Sequence, residues 1–228
     1  MDKIQEIAKN GYQILCDVIA EMPLKNKVFY ADEFILQQGE AISSLYWITL
    51  GEYSMHYCAD NGKAFSLGQR FVSNCIIGEL EYLTDTPSQF SVVANEQIDV
   101  KIIPISVMND ILCSHAQVGI WLSHLLSKSY QIGMARTMER FLQPLVFNVA
   151  MDIYQRYQQH KPLIEFNQVF REAERFGCSE RTYRRAMTQL IEENYIQKNS
   201  DGYFISDLNK FELLLKHSSV GCDSLLST

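Results

Sequence analysis

The sequence predicts an α+β protein: an N-terminal antiparallel β jelly roll or barrel, a long helix, and a C-terminal winged helix-turn-helix. Three observations carry this. Between residues 28 and 103, short runs rich in aromatic and β-branched residues alternate with turn residues, the pattern of an antiparallel sandwich or barrel. A helical pattern then runs from residue 117 to about 140. Residues 166–205 read as two short helices pivoting on Phe176-Gly177-Cys178, followed by strand, tight turn and strand.

In chain order, Ile4, Ile7, Leu15, Val18 and Ile19 predict one or two short helices before Pro23. Strands are expected at 28–30, 34–37, 45–50, 53–57, 63–67, 71–77, 90–94 and 99–103. Gly39-Glu40, Gly51-Glu52 and Asp60-Asn61-Gly62 are the turns between the first of them. Beyond Pro104 a short helix, Ile105–Ser114, precedes the long one, which carries Val118, Leu122, Leu125, Leu126 and Ile132 along one side. Such a helix caps the barrel or pairs with its copy. Its length exceeds what one barrel needs, which favours a homodimer, although Ser129 and Arg136 interrupt the heptad. Pro144 suits a helix start, so a hinge is expected at 140–143 and a new helix at 144–159.

In the C-terminal part Asn167 is expected to cap the first short helix, Gly177 to take the left-handed exit, and Ser179 to cap a second helix at 180–194. Ala186, Met187, Leu190 and Ile191 form its inward stripe. Ser179, Glu180, Arg181, Thr182, Arg184 and Arg185 remain as candidate DNA contacts, because a helix-turn-helix lays its second helix in the major groove. Arg grips guanine O6 and N7 at two points, and Glu180 can accept from cytosine N4. Residues 199–202 form the wing turn, Gly202 being its glycine, and Asp207 caps a last helix at 208–217. The expected division is 1–116 sensor domain, 117–143 dimerisation helix and hinge, 144–217 DNA-binding domain, and 218–228 flexible tail.

The net charge of −7 is unusual for a DNA binder, and it is unevenly placed. Residues 1–160 hold 11 basic and 17 acidic side chains, while residues 161–228 hold 9 and 10. Between Arg171 and Arg185 five arginines face three glutamates, a local basic patch. No secretory signal appears and no apolar run approaches ~20 residues, so a cytoplasmic protein without membrane contact is expected. Cysteines 16, 58, 75, 113, 178 and 222 form no C-x-x-C pair and no zinc-type cluster, so no metal is expected. No nucleophile–base pair or phosphate loop stands out, and the chain does not read as an enzyme.

On these residues the sequence resembles the Crp/Fnr family of transcription regulators. Gly39-Glu40, Tyr46 and Gly51 are similar to the barrel's glycine–acid, tyrosine, glycine series. Ile77-Gly78-Glu79-Leu80 resembles the opening of the phosphate cassette, and Cys178 to Arg185 the recognition helix. Within the family, Cys75 to Glu79, Leu126 to Tyr130 and Pro144 to Val146 resemble the YeiL-type regulators. The resemblance implies a homodimer on a palindromic duplex, working with RNA polymerase, with Glu180, Arg181 and Arg185 at base-reading positions. It also implies an effector pocket at Gly78, Glu79, Leu80, Ser88 and Gln89. Yet where cAMP-binding members carry an arginine this chain has Ser88 or Gln89, and no arginine occurs between Arg70 and Arg136. The adenine-contacting Thr-Ser pair is replaced near Gly133-Met134. A cAMP effector is therefore not expected, nor is an iron–sulfur cluster, since Cys16 alone lies near the N-terminus. Another small ligand, a thiol switch at Cys75 with Cys58, or control by abundance stay open, as does an interaction module that does not bind DNA by itself.

Overall fold

The computed structural model describes residues 3–62, 64–200 and 202–218, apart from the side chains at 136, 139 and 216–218. The expected tail, 219–228, lies outside the described residues. The chain divides into two compact units, Met1–Met134 and Ala135–Thr228.

The first unit opens with α1 (Lys3–Glu21), a single helix. Six strands follow: β1 (Lys25–Phe29), β2 (Phe34–Leu36), β3 (Ser44–Cys58), β4 (Ala64–Ile77), β5 (Ser91–Ala94) and β6 (Ile98–Pro104). They form one antiparallel sheet in the order β1-β6-β3-β5-β2, with β4 also paired to β3. Between β4 and β5 lies a short helix the sequence reading missed, α2 (Glu79–Thr84). After β6 come α3 (Ile105–Ser114) and α4 (Ala116–Leu142).

β3 is the spine of the sheet. Its first part pairs with β6, residues 53–56 with β5, and residues 46–58 with β4. Alternation along it explains why helices cover one face. Leu45 and Trp47 turn to a core shared with Leu15 and Ile19 of α1, Met108 and Ile111 of α3, and Val118 and Leu122 of α4. Ile48 turns the other way, into the curl of the sheet, with Phe29, Ile77, Val92, Ile98 and Val100. The expected turn at Gly51-Glu52 does not exist. Both residues stay on the β3–β4 ladder, opposite Val72 and Phe71, and a Cβ on Gly51 would lie 2.9 Å from Ile98 Cγ1. The glycine is there for close approach, not reversal. Likewise 64–67 and 71–77 are one strand, running through Gly68 at φ 81°.

α4 caps the sheet's helical layer with its first half only. Val118 and Leu122 are fully buried against the sheet's helical layer. Farther along, Tyr130, Ile132, Met134, Met138, Phe141 and Leu142 are exposed, and such a run of large apolar side chains is uncommon on a free surface. The helix continues through the expected hinge at 140–142, so the break is confined to Gln143 and Pro144.

The second unit contains the end of α4, then α5 (Leu145–Gln158), α6 (Val169–Arg175), α7 (Glu180–Glu192), the hairpin β7 (Ile196–Asn199) and β8 (Gly202–Ile205), and α8 (Leu208–Ser218). Pro144 is the N-cap of α5, one residue earlier than its first helical turn. Asp207 accepts from the Lys210 N–H at 3.1 Å, the cap expected at α8. Asn167 does not cap α6. Gln168 stands at that N-cap, without a side-chain bond, and the preceding Phe166 N–H is taken by the Glu172 carboxylate at 2.6 Å. One core joins Phe147, Val149, Ala150 and Ile153 of α5 to Ala173, to Ala186, Met187 and Leu190 of α7, and to Phe211 and Leu215 of α8. Beside it lies a buried ion cluster. The Arg175 guanidinium meets Asp152 at 2.6 Å, Glu172 at 2.7 Å and Glu165 at 3.0 Å, while Arg156 meets Asp152 at 3.3 Å and also Glu165.

Candidate nucleic-acid interface

The surface built on α7 begins with its cap. Ser179 has extended backbone, and its Oγ accepts the Thr182 N–H at 3.2 Å, satisfying one of the free donors of the first turn. The chain enters through Gly177 at φ 61°, a left-handed turn that glycine takes without steric cost. Tyr183, Ala186, Met187 and Leu190 point into the core. Ile191, expected in this stripe, sits at its rim and is exposed, whereas buried Tyr183 was not foreseen. Glu180, Arg181, Thr182, Arg184, Arg185, Thr188 and Gln189 all face outward.

Arg184 donates to Glu180 at 3.2 Å across one turn. This exposed pair adds little stability, but it holds one arginine and the glutamate to each other. Arg181 and Arg185, one turn apart, share a face of the helix. They border a groove of about 880 Å³ lined also by Pro144, Leu145, Val146 and Thr188. The start of α5 is far from α7 in sequence, so no local signal announces that wall. On the hairpin Lys198 Nζ lies 5.4 Å from the centroid of the Tyr203 ring, which keeps a cation on the wing.

The expected effector residues differ in exposure. Gly78 is the left-handed N-cap of α2 at φ 94°, Leu80 and Gln89 are exposed, and Ser88 is buried. What ties them is Glu81, which the sequence reading passed over. Its buried Oε1 accepts from the Gln89 N–H at 3.2 Å and lies 3.3 Å from Ser88 Oγ, whose proton has a nearer acceptor in the Phe90 carbonyl at 2.9 Å. Ser88 also bonds the turn before it. Its N–H donates to Glu40 O and its carbonyl accepts from the Gly39 N–H, both at 2.8 Å. Burial pushes the Glu79 carboxyl up to about 7, with the nearby Glu81 charge adding to the effect and Arg70 opposing it.

Burial also pushes the Cys75 thiol up to about 11, helped by Glu79. At neutral pH that thiol is protonated and a poor nucleophile. The strands of Cys58 and Cys75 adjoin, but the residues do not. Cys58 pairs with Ala64 and Cys75 with Ile48, ten positions apart along β3, or about 33 Å. A direct Cys58–Cys75 link is excluded by that geometry.

Comparison with known proteins accounts for this architecture. The cyclic nucleotide-binding domain family matches residues 26–115, from β1 to just past α3. A transcriptional regulator of the Crp/Fnr family from Eubacterium rectale superposes with a TM-score of 0.70 at 15% identity, covering 91% of this chain and 94% of that one. The chain has the Crp/Fnr fold. The c-di-GMP-responsive global regulator CLP of Xanthomonas campestris is similar at a TM-score of 0.67 and 14% identity, covering 86% of this chain and 99% of that one. The regulatory protein YeiL of Escherichia coli O157:H7 is 28% identical over 206 residues, 85% of each chain. Residues 26–115 thus carry the cyclic nucleotide-binding domain, and the chain as a whole shares the fold of a solved Crp/Fnr regulator.

In this Crp/Fnr-fold chain the cassette does not fit a cyclic phosphodiester. Such an anion asks for a planar cation and for donors left free to bond it. The cassette position is occupied by an exposed neutral amide, Gln89. The Ser88 hydroxyl and Gln89 N–H already face the Glu81 carboxylate, which would repel a phosphate. The one arginine of residues 26–115, Arg70, stands on β4 opposite Tyr53.

Proposed function

We propose that this protein is a homodimeric, cytoplasmic transcription regulator that reads a palindromic site in double-stranded DNA through α7. The observation that carries the reading is the division of α7 itself. A capped helix buries one stripe and turns Arg181, Arg184 and Arg185 outward, beside a hairpin bearing Lys198. Guanidinium groups on one exposed helix face suit guanine edges and phosphates in the major groove. The exposed apolar half of α4 supports pairing with a second copy, which sets two α7 helices against two half-sites. RNA polymerase is the further partner by family analogy. Among the described residues no helix is long and apolar enough to cross a membrane.

Selection from random duplex DNA by the purified protein is the first test. A palindrome is the expected product. Failure to enrich any duplex, with no salt-dependent binding, would favour an interaction module instead. On the recovered site Arg185→Ala is expected to weaken binding by ~1–3 kcal/mol and to relax preference at one base pair. Equal affinity of variant and parent for every duplex would remove Arg185 from the interface.

The effector in this reading is not cAMP. c-di-GMP, to which CLP responds, is also a phosphodiester and meets the same objection at Glu81 and Gln89. Calorimetric titration with cAMP is expected to give no binding at micromolar concentration, and a micromolar isotherm would overturn this part of the proposal.

A further inference from the structure

We propose that Arg140 is a positioning residue for the recognition helix, acting through the ring of Phe176; the inference rests on the reading of α7 as the DNA-contacting helix. The relevant contacts are all within the second unit. The end of α4 is joined to α5, because Asn148 Nδ2 donates to the carbonyls of Arg140 and Gln143, both at 3.2 Å. These are the carbonyls a helix C-terminus leaves without intrahelical partners. From the same turn the Arg140 guanidinium reaches over Phe176, 5.8 Å from the ring centroid.

Phe176 is the C-cap of α6, immediately before the Gly177 turn. Its ring stacks on Tyr183 at 5.8 Å and 23°, and Arg175 lies 5.5 Å from the same centroid. Tyr183 is the first side chain of α7 to enter the core, one turn beyond the Ser179 cap. Its neighbours Thr182, Arg184 and Arg185 are outward-facing. A shift of the end of α4 that displaces the Arg140 guanidinium therefore bears on the ring that seats the first turn of α7. An aromatic ring between a planar cation and a second ring transmits such a shift because both contacts depend on ring orientation. Arg140 itself is half-buried and lies outside the apolar core.

The test is a double-mutant cycle in the full-length protein with Arg140→Gln and Phe176→Leu, read as affinity for the selected duplex and for random duplex over a range of salt. Arg140→Gln is expected to weaken binding to the selected duplex about three- to tenfold, the scale of one cation–ring contact. Random-duplex affinity and the salt slope stay as in the parent. Phe176→Leu has a similar effect, the double variant is no worse than either single one, and Arg140→Lys restores binding. Multiplicative effects in the double variant would overturn the proposal, because the residues would then act independently. So would a salt slope reduced by about one, the mark of a direct phosphate contact. If the parent binds no duplex, the functional reading falls, and the coupling is decided by the aromatic resonances of Tyr183, identified by their loss in Tyr183→Phe. Arg140→Gln is expected to shift them, and unmoved resonances would overturn the inference.

Discussion

Gly11→Ala is expected to destabilise the first unit by ~3 kcal/mol, at the upper end of the usual overpacking range. Gly11 is buried on α1, and a Cβ there would stand 2.0 Å from the Gln117 carbonyl oxygen, 2.4 Å from its carbon and 3.0 Å from the Val118 nitrogen. These are backbone atoms at the start of α4, not the tip of a side chain that can swing aside. Moving them drags Val118 and Leu122, both fully buried, out of the helical layer. The gain of ~1 kcal/mol that alanine normally brings to a helix interior does not offset this. Urea denaturation followed by tryptophan fluorescence reports on the right place, since Trp47 lies in this core and Trp121 lies 5.3 Å from Tyr12. Gly119→Ala, on the part of α4 outside the proposed pairing face, is the control, because a Cβ there meets only Leu112 Cδ2 at an ordinary 3.9 Å, and a gain of up to ~1 kcal/mol is expected. A Gly11→Ala protein as stable as its parent would mean that α1 and α4 do not approach this closely.

The second large effect is expected from Arg175→Met, at a cost of ~3–5 kcal/mol to the second unit. The Arg175 side chain is 7% exposed and bonds Asp152, Glu165 and Glu172, whose own side chains are 24%, 8% and 2% exposed. Removing it leaves buried carboxylates without their main cation, and Arg156 reaches only Asp152 and Glu165 among them. Burial already raises the Glu172 carboxyl above its ordinary range, while Arg175 pulls it down. Without Arg175 the folded value rises further above the unfolded one of ~4.3. A raised carboxyl weakens the folded state at pH above its unfolded value, and that penalty disappears as pH falls below it. The deficit of Arg175→Met against the parent is therefore expected to be greatest near neutrality and to shrink toward pH ~4. Denaturation curves at several pH values test this, and a deficit that grew on acidification would refute the electrostatic account. Replacing Glu172 and Arg175 together by leucine is expected to cost less than Arg175→Met, because the most buried carboxylate goes with its cation and Asp152 and Glu165 still share Arg156.

The sequence by itself determined what depends on near neighbours along the chain. The Ser179 cap, the left-handed Gly177, the Asp207 cap and the break at Pro144 are each decided within one helical turn, and each is found. The aromatic and β-branched run at 45–50 likewise marked a strand, and β3 is found there. Asn167 is not the cap, because α6 starts one residue later, with Gln168 at its N-cap. Tertiary structure alone decided the contacts between elements. Gly51 reads locally as a turn, yet pairing with Val72 and the close approach of Ile98 keep it in a strand. Glu81 reads as a surface acid and proves to accept from the cassette's own Gln89 N–H. Gly11, Arg175 and the Arg140–Phe176–Tyr183 stack have no local signature either. Their roles come from which backbones touch and which charges lose water, and those are settled only when distant segments bury one another.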